Sequence, residues 1–214
     1  MCGRYVNKNT IDDLINFFGL DHSIDISSQH NPSYNICPTQ CSPVLFKSMG
    51  NLKIEDMSWG LIPSWAKDIS FASKLINARI ETIKQKPSFK NLVKKNRCIV
   101  IANGYYEWIK TSEGKQPIYI HSKDRVILMA GLWTSWDEVN SFTIITKSSE
   151  GILKKIHHRM PLLINYSDMN TYLSNNIDFS DSFKFYDPGF QYHKVSKKVN
   201  YPKNNDLSCI KTID

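Results

Sequence analysis

Cys98-Ile-Val-Ile-Ala-Asn-Gly-Tyr-Tyr-Glu107-Trp108 is the most apolar strand-like stretch of the chain. Its β-branched and aromatic residues read as a strand. A carboxylate near the end of so apolar a segment is partly desolvated, which raises its pKa and suits it to proton transfer. The plain alternative for Glu107 is the exposed face or frayed end of a strand. Strand candidates at 118–122, 126–133 and 142–146 follow, separated by turn-forming or charged residues. Upstream, 44–47 and 52–59 are joined by Gly50-Asn51, and 192–199 reads as a late strand.

Helical signals are fewer. Residues 10–18 read as a helix, capped by Thr10 with Asp13 three residues on and stopped by Gly19. Helices are also expected at 78–85, 89–95 and 167–174, and loops at 23–43, 175–182 and 203–206. Strands therefore outnumber helices and run consecutively. That pattern predicts an α+β fold: a single domain over 1–214 on a largely antiparallel, distorted barrel-like sheet with flanking helices.

The 214 residues are 41% hydrophobic and 22% charged, a globular and not a disordered composition. No apolar run reaches the length of a membrane span, and no signal-peptide pattern opens the chain. Five cysteines without a disulfide-like framework fit a reducing compartment. The net charge of +7 suggests a polyanionic partner, nucleic acid being the commonest, although many basic proteins have none.

Cys2 follows the initiator Met in Met1-Cys-Gly-Arg-Tyr5. Removal of Met1 would leave an α-amine and a thiol on one residue. Such an aminothiol condenses with an aldehyde and closes to a thiazolidine ring. Its amine has a pKa of about 7.7–8.0, against about 10.4 for Lys, so more of it is neutral at pH 7. The plain reading of Cys2 is a buried thiol at the start of a strand.

His157 and His158, in Ile156-His-His-Arg-Met-Pro161, are suited to proton exchange near neutral pH. A metal is not expected: Cys37 and Cys41 lack a second pair at zinc-site spacing. Asn77 can orient a nucleophile, and Arg79 can grip a phosphate through its planar fork. Their plain readings are a turn residue and a surface charge. Trp59, Trp65 and Trp108 offer faces for base stacking, but Trp59 and Trp133 are expected in the core.

Taken together, several segments resemble the SOS-response-associated peptidase (SRAP) family, whose members crosslink to abasic sites in single-stranded DNA. They are Met1-Cys-Gly-Arg-Tyr5, Tyr34-Asn-Ile-Cys-Pro-Thr-Gln40, Trp59-Gly-Leu-Ile-Pro-Ser-Trp-Ala-Lys67 and Asn77-Ala-Arg-Ile-Glu-Thr82. Further on come Lys86-Pro-Ser-Phe89, Arg97-Cys98, Gly104-Tyr-Tyr-Glu-Trp108, Ala130-Gly-Leu-Trp133, Phe142-Thr-Ile-Ile-Thr146, Ile156-His-His-Arg-Met-Pro161 and Val195-Ser-Lys-Lys-Val-Asn200. They run in family order over nearly the whole chain.

The resemblance implies roles. Cys2 becomes the nucleophile, Asn77 its orienting partner, Glu107 a carboxylate beside the amine, and His157 the acid or base acting on the sugar. Arg159 fixes the register that selects His157 over His158. Arg4, Arg79 and Arg159 would contact phosphates, with Trp65 and Pro38 also at the DNA. No cofactor is implied. The expected partner is single-stranded DNA with an abasic site, met by a monomer away from membranes, in the cytoplasm or, in a eukaryote, the nucleus. Two departures stand out: His158 replaces an expected Asp or similar polar residue, and Cys37 an expected Ala. His158 can shift the pKa of His157 by like-charge coupling. Two other readings stay open: a thiol autopeptidase or peptidase using Cys2, and a noncovalent single-strand binder.

Overall fold

A computed structural model describes residues 2–19, 25–123, 126–174 and 186–213. Thirteen strands occur among them: β1 (Tyr5–Asn7), β2 (Asp25–Ile26), β3 (Ser33–Ile36), β4 (Cys41–Ser48), β5 (Asn51–Trp59), β6 (Asn77–Arg79), β7 (Arg97–Ala102), β8 (Gly104–Thr111), β9 (Gly114–Ser122), β10 (Ile127–Trp136), β11 (Val139–Ser148), β12 (Arg159–Pro161) and β13 (Phe190–Lys194). The α-helices are α1 (Ile11–Phe18) and α2 (Met169–Leu173). The protein is mostly sheet.

The stretch 98–108 is two strands, not one, and it joins two sheets. β7 belongs to the larger sheet, in the order β12-β11-β10-β7-β4-β5-β2, and β8 to a five-stranded sheet, β13-β9-β8-β1-β3. The chain changes sheets at Asn103, whose N–H donates to Val6 O at 2.7 Å. Gly104 follows because a Cβ there would sit 2.5 Å from Ile120 O. Pairing is antiparallel except for β2–β5, β5–β11 and β6–β11. The β5–β11 contact turns β5, β4, β7, β10 and β11 into a ring, without the regularity of a barrel.

Alternation explains why β7 is apolar throughout. Cys98, Val100 and Ala102 enter a core shared with Tyr5, Tyr105 and Ile120 of the smaller sheet. Ile99 and Ile101 face the other way, against Leu14 and Phe18 of α1 and Tyr172 and Leu173 of α2. A strand covered on both faces loses the polar half of its pattern. β8 is buried through Glu107 and then emerges at Lys110.

The α1 boundaries follow the expected signals: Thr10 and Asp13 form a capping box, and Gly19 closes the helix at φ 61°. Trp59 is fully buried, while Trp133 packs half-buried against the core. Four expectations need correction. Residues 78–85 are not a helix: Asn77–Arg79 pairs with β11 as strand β6, and turns follow. Residues 89–95 form only a 3-10 turn, Leu92–Lys94. The loop expected at 23–43 contains β2, β3 and the start of β4. The late strand is Phe190–Lys194, and Lys197–Asn200 is a 3-10 turn. The loop at 175–182 lies outside the described residues.

Candidate active site

Pairing places Cys2. β1 runs antiparallel to β8 with Tyr5 opposite Tyr105, and Tyr106 N donates to Arg4 O at 2.9 Å. Continuing that register carries Gly3 and Cys2 alongside Glu107 and Trp108. Cys2 is fully buried, with Sγ 3.9 Å from Arg4 O. Burial pushes its thiol pKa up, and the Glu107 charge adds to the rise.

Asn77 arrives from the other sheet, on β6. Its Nδ2 donates to Cys2 O at 2.7 Å. Its Oδ1 is buried and accepts no hydrogen bond among the described residues, leaving an acceptor beside Cys2.

Glu107 is 4% exposed, and burial raises its pKa. Its Oε1 lies 3.8 Å from His157 Nδ1. That ring nitrogen is also 3.0 Å from Arg159 N and 3.2 Å from Arg159 O. A backbone N–H can only donate, so the neutral ring accepts at Nδ1 and carries its proton on Nε2. Burial lowers the His157 pKa, so the neutral ring is favoured. His158 stacks on it, with ring centroids 4.3 Å apart, and the His157 charge is the first cause lowering the His158 pKa.

Cys2, Asn77, Glu107 and His157 thus converge where the two sheets meet. The arginines divide. Arg4 is engaged internally: Nη1 donates to Asn35 Oδ1 at 2.9 Å and to Val199 O, and Nη2 to Asn200 O at 3.0 Å. Arg159 is buried, and its guanidinium meets Glu81 through both carboxylate oxygens, at 2.6 and 3.0 Å. Arg79 is exposed and lines a cleft of about 400 Å³ with Glu81, Thr82, Ser148, His158 and Arg159. Trp65 is 55% exposed, edge-on to Phe71. Pro38 is half-buried in the turn between β3 and β4, where Thr39 N donates to Trp59 O at 2.7 Å.

Among the described residues no cluster of three or more His, Cys, Asp or Glu is arranged to hold a metal. Sequence reasoning gave no role to Glu81 or Asn35. Asn77, Arg79 and Glu81 alternate with period two, so a strand reading would have put all three on one side. Asn35 Nδ2 faces the carbonyls of Val199, Tyr201 and Asn204 at 3.2, 3.2 and 2.7 Å, holding the C-terminal segment against β3. No local sequence signal marks a contact across so many residues.

The family model described as SOS response associated peptidase (SRAP) matches residues 1–202. The abasic site processing protein YoaM of Bacillus subtilis is 35% identical, over 98% of this chain and 97% of its own length. YedK of Escherichia coli, also named an abasic site processing protein, is 29% identical over the whole of both chains. The abasic site processing protein HMCES of Xenopus tropicalis is 32% identical, over 87% of this chain and 68% of its own length. A crystal structure of a Bacteroides thetaiotaomicron protein shares the fold, with TM-score 0.85 and 24% identity over 99% of this chain and 100% of that one. The matched residues 1–202 contain all thirteen strands and every residue of the candidate site, so the chain belongs to the SRAP family.

Proposed function

We propose that the protein recognises abasic sites in DNA, preferring single strands, and caps them with a covalent thiazolidine formed by Cys2 once Met1 is removed. The observation that carries this reading is the convergence on Cys2 of Asn77 from one sheet and Glu107 from the other, beside His157. The relatives' names supply the substrate class: abasic sites.

In this mechanism the protonated fraction of His157 gives its Nε2 proton to the ring oxygen of the abasic sugar while the anomeric hydroxyl loses its proton to water, so the ring C–O bond breaks and the aldehyde is released. The neutral Cys2 amine attacks the carbonyl carbon, with the buried Asn77 Oδ1 available to accept one amine hydrogen. Glu107, whose pKa burial raises, takes an amine proton and returns it to the leaving hydroxyl. Water departs and the imine forms. The thiol then adds across the C=N bond: sulfur bonds carbon, and the thiol proton ends on nitrogen. One water is lost overall, and no oxidant or cofactor enters. The saturated ring lacks the iminium that drives strand scission by β-elimination.

A peptidase reading requires a Cys2 thiolate. Burial and the Glu107 charge both oppose one, which favours amine-first chemistry in which the thiol acts late. Contacts to the DNA backbone would make binding fall steeply with salt and depend little on sequence. The test is a denaturing gel after mixing the protein with an abasic oligonucleotide. A band that survives denaturation is expected. A shift seen only on a native gel would favour a noncovalent binder, and cleavage of a peptide substrate without a band would favour the peptidase.

A further inference from the structure

The cleft beside His157 contains a group that its chemistry does not call for. Its walls include Arg79, Arg159, His158, Thr82 and Ser148, a set of positive and hydroxyl donors suited to an anion. Yet the carboxylate of Glu81 sits inside it. Glu81 bonds both terminal nitrogens of Arg159, and Arg159 Nη2 also donates to Thr146 O at 2.6 Å. Exposure is lopsided: the Arg159 side chain is 8% exposed and Glu81 48%. The carboxylate is therefore on the solvent side of the fork. An anion that pairs with both terminal nitrogens of Arg159 takes Glu81's place.

A second observation is that the protein leaves the guanidinium incompletely used. Arg159 Nε is buried and has no hydrogen-bond partner among the described residues. A guanidinium has five donors in a fixed fork, and leaving one unmade in a buried site is costly. A carboxylate offers two oxygens to the fork. A phosphodiester offers the same two in similar geometry, with further oxygens for neighbouring donors.

We propose that Glu81 is a placeholder for a DNA phosphate: it holds Arg159 in its binding geometry in the free protein and is displaced when the phosphate next to the abasic sugar enters the cleft. This rests on the DNA reading above and adds a specificity-determining residue to it. Pre-ordering the guanidinium removes an entropic cost of binding. Competition from a tethered carboxylate rejects anions that bring only one weak contact, so a strand anchored elsewhere along its length can win where free phosphate cannot.

The backbone N–H of Arg159 also bonds His157 Nδ1, so the clamp on Arg159 lies one hydrogen bond from the proposed acid. That link explains why the placeholder is a paired carboxylate and not empty space: an unheld Arg159 would loosen the backbone that orients the imidazole.

The test uses an oligonucleotide with a tetrahydrofuran abasic mimic, which has no aldehyde, so binding is noncovalent and readable by fluorescence anisotropy. Wild type, E81Q, R159Q and E81Q/R159Q are compared at one salt concentration. Removing one negative charge next to a phosphate is expected to tighten E81Q binding about fivefold or more. The gain should vanish in the R159Q background. Unchanged or weaker binding by E81Q would overturn the proposal, as would a gain that persists without Arg159, since that is a general charge effect. If R159Q does not fold, competition by inorganic phosphate decides: it should displace the strand from E81Q at concentrations that spare wild type, and equal sensitivity would overturn the proposal. Wild-type crosslinking to a natural abasic strand is scored alongside. Its loss would sink the crosslinking reading, whereas normal crosslinking with unchanged E81Q affinity would sink the placeholder alone.

Discussion

Cys2 and Cys98 are both fully buried and belong to the same apolar core. Burial raises the pKa of each thiol. Their surroundings differ. Cys98 lies on β7 in the ring of strands, and burial is the sole cause of its shift. Cys2 lies where the smaller sheet meets the ring, with Asn77 on its carbonyl and the Glu107 charge close enough to act on its thiol. Burial alone makes a thiol inert. Under the proposed function, polar groups delivered from two sheets, and the α-amine that Met1 removal exposes, turn this core cysteine into a reagent.

Substituting the two cysteines breaks the comparison most sharply. Cys2→Ala should abolish the crosslink, and Cys2→Ser should form at best a weaker, reversible adduct. Cys98→Ala should crosslink at the wild-type rate. A gel of both variants against one abasic oligonucleotide reads this directly.

Next in size are the proposed proton carriers. His157→Ala and Glu107→Gln should each slow crosslinking by about 10²–10⁴-fold while leaving the product unchanged. The rate should peak between the pKa values of His157 and the Cys2 amine. Burial lowers the His157 value, so the acidic limb should fall below the ordinary histidine range of about 6.5. His157→Ala should alter that limb, and His158→Ala much less. A rate–pH series on the two variants tests the register, and a crippled His158→Ala would move the assignment by one residue.

Glu107 also has a stability signature. Its folded pKa is raised, so the folded chain binds that proton more tightly than the unfolded chain. The sign follows: the group favours folding at low pH and opposes it once pH rises past the ordinary Glu value of about 4.3. Glu107→Gln should therefore raise Tm at pH 7, and the gain should shrink as pH falls toward the ordinary Glu value. Melting curves across that pH range check this. The smallest effect is expected for Cys98→Ala, a loss of about 1 kcal/mol from a small void in the ring core, read by denaturant titration.

Much of this was legible in the sequence where local rules act alone. Thr10, Asp13 and Gly19 fixed α1 because capping is decided within one turn. Apolar runs located β4, β5 and β7 to β11, but not β1, β2, β3, β6 or β12. The reading failed where tertiary pairing overrides local pattern. Residues 77–79 form a strand because β11 offers them a partner, which the sequence of 78–85 does not announce. The break at Asn103 was invisible because apolar residues continue on both sides while the chain changes sheets. For Glu107 the sequence offered two readings, a desolvated carboxylate or an exposed strand end, and the structure buries it. The engagement of Arg4 with the carbonyls of Val199 and Asn200 was not legible, since it joins the two ends of the described chain.

Intact mass spectrometry of the crosslinked product tests the central claim most directly. The product should equal the chain without Met1 plus the abasic oligonucleotide, less one water, and proteolysis should place the attachment on Cys2. Borohydride should leave that mass unchanged, because a closed thiazolidine has no C=N bond to reduce. Attachment through a lysine or an internal cysteine, a product that retains Met1, or a mass that grows by two hydrogens on reduction would contradict it.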